Sequence, residues 1–193
     1  MTRHRSFVSL VLAATTGAVL VVLLGVLTPD PADPATPEAP RSLRLPSGRV
    51  VPVQEVSTSR QGQLDVPDDP RTAGWWRGSS RVGDPSGKTL LAAHIDSTRQ
   101  RLGPFVELYD ARPGLPLVLR SAGLRQDFRV RSVRVIRRAS LTAHPDLYSS
   151  SGPRRLVLVT CAPPYDAAHG GYQNLAVLVA EPSGPPTPRP TPG

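Results

Sequence analysis

The chain opens with one long apolar stretch and continues with much shorter ones. Residues 7–27 form 21 consecutive positions without a charge, preceded by Arg3 and Arg5 and followed by Asp30 and Asp33. About 20 apolar residues span a bilayer as a helix, and flanking basic residues favour the cytoplasmic side. We therefore predict a transmembrane anchor at 7–27, with residues 1–6 in the cytoplasm and the rest of the chain outside the cell. A cleaved signal peptide is the alternative, although its apolar region is usually shorter.

After this stretch, short apolar or alternating runs are separated by turn residues. Helical periodicity is weak, apart from a short turn or helix expected at 105–111. The apolar phase changes at Ser132 and Val133, which predicts a β-bulge there. The pattern is typical of a mainly β domain, either a closed barrel or a sandwich. Strands are expected at residues 50–53, 89–93, 115–119, 128–136, 155–161 and 175–180.

Of the 23 prolines in the 193-residue chain, 11 fall in two short clusters. One cluster makes residues 28–41 an extended, semi-rigid spacer. The other makes residues 182–193 a Pro-rich tail that we expect to be disordered. Residues 42–181 remain as one domain, long enough to bury a sizeable core. The single cysteine excludes a disulfide within the chain.

The formal net charge is +8, and nearly all of the cations are arginine. A basic protein can bind nucleic acid. Here, however, the arginines alternate with apolar residues, as in the run 129–138, which is typical of the solvent-facing side of a strand. We therefore expect no nucleic-acid partner and attribute the charge to attraction towards an anionic cell envelope.

Two of the apolar runs end in a residue that can carry out chemistry. Residues 156–160 lead into Cys161, and residues 89–93 lead into His94. A cysteine nucleophile needs a base that accepts its proton, normally a histidine. If both strands end at the same rim of one sheet, thiol and imidazole would meet there. The alternatives are a small buried cysteine and a structural histidine.

The other histidines compete less well for this role. His144 lies in a polar loop and is expected at the surface, whereas His169 follows Cys161 by eight residues and is a second candidate partner for the thiol. The four histidines and one cysteine lack the spacing of a metal site. We therefore expect neither a metal nor a cofactor.

Five short segments, taken in order, resemble those of the sortase family, in particular the class F sortases of high-GC Gram-positive bacteria. Each segment is weak alone, and the order and spacing of all five make the resemblance fairly specific. It covers about residues 42–181. The segments are QLDVP at 63–67, AGWW at 73–76, LAAHID at 91–96, GPFVEL at 103–108 and VLVTC at 157–161.

The resemblance implies a closed eight-stranded β-barrel and a cysteine transpeptidase. In sortases the thiolate attacks an LPxTG-like sorting signal of a secreted protein, and the acyl group passes to an amine of a cell-wall precursor. By this resemblance Cys161 is the nucleophile and His94 is the general acid/base. Asp96 would orient His94 or a loop.

One position departs from the family pattern. Where the resemblance leads us to expect an arginine on the strand after the cysteine, this chain has Gln173, an uncharged and weaker donor to an oxyanion. Arg99 or Arg101, in the loop after His94, is a candidate substitute. Two functions therefore stay open. One is an active transpeptidase or hydrolase that uses Cys161 and His94, and the other is a degenerate sortase-fold domain that binds wall peptides without turnover.

Overall fold

The computed structural model of the chain describes residues 36–60, 62–97 and 101–189. The predicted anchor at 7–27 and most of the predicted spacer lie outside these ranges, so both stay predictions. Within the described ranges, no helix combines the length and the apolar character that crossing a membrane requires.

The described part of the chain consists of short strands and four 3₁₀ segments. The strands are β1 Ser42–Arg44, β2 Val50–Val56, β3 Ala73–Trp76, β4 Lys88–Ala92, β5 Asp96–Ser97, β6 Arg101–Leu102, β7 Pro116–Arg120, β8 Leu124–Arg137, β9 Arg155–Asp166, β10 Gly171–Pro182 and β11 Thr187–Pro188. The 3₁₀ segments are Pro104–Tyr109, Arg138–Ala143, Pro145–Leu147 and Ala167–His169.

Eight of these strands close into a barrel. Hydrogen-bonded neighbours follow one another in the order β10-β9-β4-β3-β2-β1-β7-β8. The 14-residue strand β8 closes the barrel, because its first part pairs with β7 and its second part with β10. Two neighbouring pairs, β2–β3 and β4–β9, run parallel, and the others run antiparallel. Closure leaves the barrel strands without an unpaired sheet edge over most of their length.

Alternation along the strands produces two apolar layers. In β9, Leu156 and Leu158 belong to the main core inside the barrel. The intervening Val157 and Val159 belong to a second cluster on the outer face, together with Leu147 from a 3₁₀ segment. Both faces of β9 are therefore covered, which explains why its sequence is a continuous apolar run rather than an alternating one. Large buried members of the main core include Trp75, Leu91, Phe105 and Phe128.

The predicted mainly β fold is confirmed, and so is the eight-stranded barrel that the resemblance implied. All six predicted strands form, and β2, β8, β9 and β10 extend beyond their predicted ends. The pairing of β10 with β8 shifts by one residue next to Ser132, which leaves Arg131 as the extra residue. This bulge lies beside the predicted position. The short helix expected at 105–111 is the 3₁₀ segment Pro104–Tyr109.

Two flanking segments pack more closely than their composition suggests. Thr187 and Pro188 form β11 on the end of β8, and the backbone N–H of Arg189 donates to Gly123 O. This part of the chain therefore differs from the disordered tail expected at 182–193. Residues 36–41, the described end of the predicted spacer, also contact the barrel, since Glu38 pairs with Val82. Both contacts are made chiefly by backbone N–H and C=O groups. These groups need hydrogen-bond partners whatever side chains the residues carry.

Candidate active site

The parallel pairing of β4 with β9 places two sequence-predicted residues side by side. The register runs from Lys88 opposite Arg155 to Ala92 opposite Val159. Beyond the strand, Thr160 Oγ1 donates to Ala93 O at 2.8 Å across a separation of 67 residues. His94 and Cys161, which are also 67 residues apart, come next along the two segments, just beyond the last paired residues. Neighbouring strands lie about 4.8 Å apart, which brings the two residues to one place on the barrel wall.

Alternation along β9 also places Cys161 on the outer face of the sheet. Cys161 follows Val159 by two positions and His94 follows Ala92 by two positions, and both of these neighbours lie in the outer apolar cluster. Since side chains two apart along a strand share a face, Cys161 in β9 faces outward over that cluster, while His94 lies two residues beyond the end of β4. Both line one cavity of about 940 Å³. The structure therefore brings together the two residues that the sequence suggested as a pair.

The strand that carries the cysteine is longer than the sequence indicated. Cys161 was expected at a strand end followed by a rigid loop, but β9 continues to Asp166. β4 ends at Ala92, so from Cys161 onward β9 pairs only with β10, and the register shifts where Pro163 and Pro164 occur. Proline is tolerated at such edges and bulges because no ladder hydrogen bond is required of it there.

The Cys161 thiol is half-buried, and two charged side chains affect its pKa. Burial raises the pKa of this thiol, Asp96 raises it further, and the positive charge of Arg138 lowers it. Tyr109, at the end of a 3₁₀ segment, donates its hydroxyl to Cys161 O at 2.6 Å. This bond fixes the backbone at the cysteine. A thiol with a raised pKa is mostly protonated at neutral pH, so it needs a base to become a nucleophile.

Asp96 contacts the strand after the cysteine. Its carboxylate accepts a hydrogen bond of 2.6 Å from the hydroxyl of Tyr172 on β10. This bond is the main reason why the pKa of Tyr172 is raised to about 12. Asp96 thus links the segment after His94 to β10, which agrees with a role in holding a loop.

The side-chain amide of Gln173 donates both of its hydrogens to nearby backbone carbonyl groups. Its Nε2 donates to Gly171 O at 2.6 Å and to His169 O at 3.2 Å. An amide nitrogen has two hydrogens, and both are used within the turn that joins β9 to β10. Of the two suggested substitutes, Arg99 lies outside the described residues, and only the backbone of Arg101 is described.

His169, the second candidate partner, is engaged elsewhere. Its Nδ1 lies 2.7 Å from Asp166 Oδ2, and its side chain is 74% exposed. The structure thus keeps the His169 ring paired on an exposed turn, whereas His94 lines the cavity with the thiol.

Sequence reasoning missed two side chains at this site, Arg138 and Tyr109. Arg138 lines the cavity, yet it lies in a run of arginines in which nothing distinguishes it from Arg137. Tyr109 lies in the segment that resembled a helix, and only the folded structure shows that it reaches Cys161.

The chain belongs to the sortase family: the family model described as Sortase domain matches residues 45–183. No curated protein matches the sequence. Members of this family are generally cysteine transpeptidases.

Solved structures similar to this chain are sortases of several kinds. Sortase E1 from Streptomyces coelicolor, with a tripeptide in its active site, is 19% identical with a TM-score of 0.58, over 79% of this chain and 91% of that one. Listeria monocytogenes sortase A is 16% identical with a TM-score of 0.58, over 81% and 93%. Sortase C-1 from Actinomyces oris is 20% identical with a TM-score of 0.56, over 78% and 76%. At these identities the likeness shows the fold, and it does not select a class within the family.

Proposed function

We propose that this chain is a membrane-anchored, extracellular cysteine transpeptidase of the class F type. It would cleave an LPxTG- or LAxTG-like sorting signal of a secreted protein and transfer the acyl product to a cell-wall amine. The observation that carries the proposal is that His94 and Cys161 line one cavity, next to the end of the parallel pairing of β4 with β9. Acyl transfer by a thiol requires a base next to the nucleophile.

Acylation begins when His94 accepts the proton of the Cys161 thiol. The thiolate attacks the carbonyl carbon of the scissile peptide bond, a C–S bond forms, and the carbonyl electron pair moves to the oxygen. The resulting oxyanion collapses and the C–N bond breaks. The leaving amine takes the proton from the His94 imidazolium, and a thioester on Cys161 remains.

Transfer reverses these roles. An amine of the cell-wall precursor attacks the thioester carbonyl, and His94 accepts the proton that the amine nitrogen loses. Collapse of the second oxyanion breaks the C–S bond and returns the proton to the sulfur. Water in place of the amine gives hydrolysis. Asp96 acts as a positioning residue, because its bond with Tyr172 holds the segment that follows His94.

The cavity suits a peptide with apolar side chains. Much of its wall is aliphatic or aromatic, and the residues that extend it away from the thiol include Leu64, Val66, Trp76, Leu141 and Tyr148. Burial of apolar surface contributes about 25 cal/mol per Å², so such walls favour a hydrophobic residue upstream of the scissile bond. This is the character of the leucine and proline or alanine in the proposed signals.

The test uses the purified full chain in detergent with LPxTG and LAxTG peptides. We expect a thioester adduct by mass spectrometry and cleavage at some pH between about 6 and 9, where thiol and imidazole titrate. Cys161→Ala should abolish the adduct, whereas His94→Ala should reduce its rate of formation. His169→Ala is the matched control and should behave as the unaltered chain does. An adduct that survives in Cys161→Ala would exclude the assigned nucleophile.

The second candidate is a sortase-fold domain that binds wall peptides without turnover. Gln173, whose amide is used within a turn, favours it. Saturable peptide binding by the full chain, with neither an adduct nor cleavage across the same pH range, would select this function over the first.

A further inference from the structure

Among the described residues that line the cavity of Cys161, Arg138 is the one permanent cation, and it is exposed to solvent. Arg138 directly follows β8 and begins the 3₁₀ segment Arg138–Ala143. A thiolate and the oxyanion of a substrate both place negative charge in this largely apolar space. Unpaired charge is costly in such surroundings, so a cation there has a clear chemical use.

The guanidinium is held by the turn that connects the cysteine strand to its neighbour. Arg138 Nη1 donates to Gly170 O at 3.0 Å and Nη2 donates to His169 O at 3.3 Å. These bonds use two of the five N–H hydrogens of an arginine. The others can pair with an anion while the group stays fixed, since the planar fork is already ordered.

Gln173 helps to locate the guanidinium. Its amide and the guanidinium of Arg138 both donate to the carbonyl oxygen of His169. The two side chains therefore meet at one acceptor, although Gln173 comes from β10 and Arg138 from the 3₁₀ segment after β8. Because both amide hydrogens are used within the turn, the guanidinium is the group at this place that can serve an anion.

We propose that Arg138 is the electrostatic partner of the Cys161 thiolate and of the oxyanion formed from the substrate carbonyl. This inference rests on the proposed transpeptidase function for its second half, whereas the pairing with the thiolate needs no turnover. In agreement with it, the positive charge of Arg138 lowers the pKa of the thiol, against the effects of burial and of Asp96. The other titratable side chains around the thiol are His94, Asp96, Tyr109 and Tyr172.

The first test measures how the reactivity of the Cys161 thiol depends on pH when no substrate is present. Alkylation of Cys161 by iodoacetamide is followed against pH in the full chain, since only the thiolate reacts. We expect Arg138→Gln to move the midpoint of the profile to higher pH and to slow alkylation at pH 7. Arg137→Gln is the matched control, because it removes an adjacent arginine that is exposed like Arg138 but does not line the cavity. A midpoint in Arg138→Gln no higher than in this control would overturn the proposal.

The second test measures turnover. Loss of one oxyanion donor typically lowers the rate about 10²–10³-fold, so we expect a loss of that size in kcat for Arg138→Gln, with a smaller change in KM. Arg138→Lys keeps the charge without the planar fork, so its alkylation midpoint should stay near that of the unaltered chain while part of the rate is lost. A lysine variant whose midpoint shifts as far as that of the glutamine variant would show that the shape of the turn matters rather than the charge.

Different results would refute the transpeptidase function and the role of Arg138. A chain that cleaves no peptide while its alkylation midpoint still depends on Arg138 refutes the transpeptidase and supports the pairing with the thiolate. A chain that cleaves peptide equally well with Arg138→Gln, with an unmoved midpoint, refutes the role of Arg138 and leaves the transpeptidase standing. Circular dichroism of each variant establishes that it is folded before either comparison is made.

Discussion

Gly103 lies against the backbone of His94. A Cβ at this position would lie 2.8 Å from His94 O and 2.6 Å from Pro70 O, closer than real Cβ atoms come. The backbone of Gly103 is extended, with φ −80° and ψ 166°, so alanine is excluded there by contact rather than by its dihedral angles. The chain needs glycine here to let the segment after β6 approach the segment that carries the imidazole.

We predict that Gly103→Ala displaces His94 relative to Cys161. Misplacement by about 1 Å can cost about 10²-fold in rate, so kcat for peptide cleavage should fall by up to that factor. Gly184→Ala is the matched control, because an added Cβ there meets no atom within 4 Å. Steady-state kinetics and melting temperatures of both variants make the comparison. An unchanged kcat in folded Gly103→Ala would contradict the assigned base.

At the scale of elements, Glu38 joins the segment before β1 to the barrel. Its carboxylate accepts a hydrogen bond of 2.7 Å from the backbone N–H of Gly123. This bond, together with one from the Ser121 hydroxyl, lowers the pKa of Glu38. Since the folded-state pKa lies below the unfolded one, the contribution to stability is present at neutral pH and is lost as the pH falls through the folded-state pKa.

We therefore expect Glu38→Gln to lower the free energy of unfolding by about 1 kcal/mol at pH 7. This is less than the usual value for a hydrogen bond to a charged group, because the side chain is partly exposed to solvent. The difference from the unaltered chain should shrink as the pH falls below 4.5, the ordinary pKa of a glutamate. Urea unfolding at several pH values measures both effects. Glu55 is an exposed residue of β2, so Glu55→Gln should change stability by less than about 0.5 kcal/mol, and an equal loss in both variants would contradict the role of Glu38.

The strands were predictable from sequence because their signal is local. Each of the six predicted runs alternates or is continuously apolar, and each forms a strand. The length of β9 was not predictable, because its passage through Pro163 and Pro164 depends on β4 ending at Ala92. The strand β11 was not predictable either, because it pairs with β8 through backbone groups, and its amino-acid composition does not indicate this pairing.

The candidate site was predictable only in part, for a related reason. Cys161 and His94 could be suggested from their places after apolar runs, but their proximity required the parallel register of β4 with β9. Arg138 could not be singled out, because its place at the cavity follows from the path of the chain after β8 and from the carbonyl groups of a distant turn.

At the scale of the whole molecule, the site depends on closure of the barrel. Cys161 lies within β9, whereas His94 follows β4 and Arg138 follows β8. β9 pairs with β4, and β10 pairs with both β9 and β8. These pairings hold the three groups around one cavity. Loss of closure would therefore separate the cation from the thiol even where β4 and β9 remained paired.

The position of the whole chain in the cell gives the last prediction. The run at 7–27 is long enough for one span, and the charges around it favour export of everything that follows. The full chain with a C-terminal epitope tag, expressed in a Gram-positive host, should remain in the membrane fraction after alkaline extraction. Protease added to protoplasts should remove the tag. Deletion of residues 7–27 should leave the tag in the cytoplasm.

A pair of substitutions separates anchoring from mere export. Leu20→Arg places a charge in the apolar run, at a cost of about 2.5–3.5 kcal/mol near the middle of a span, and should weaken membrane retention. Ser6→Arg adds the same charge before the run and should leave retention intact, since it strengthens the basic flank. A cleaved signal peptide would give a different result, because the mature chain would then lack residues 7–27 and would leave the membrane fraction. The mass of the extracted protein distinguishes these outcomes. A shortened chain in the medium would show that residues 7–27 are a cleaved signal peptide and that the protein is secreted.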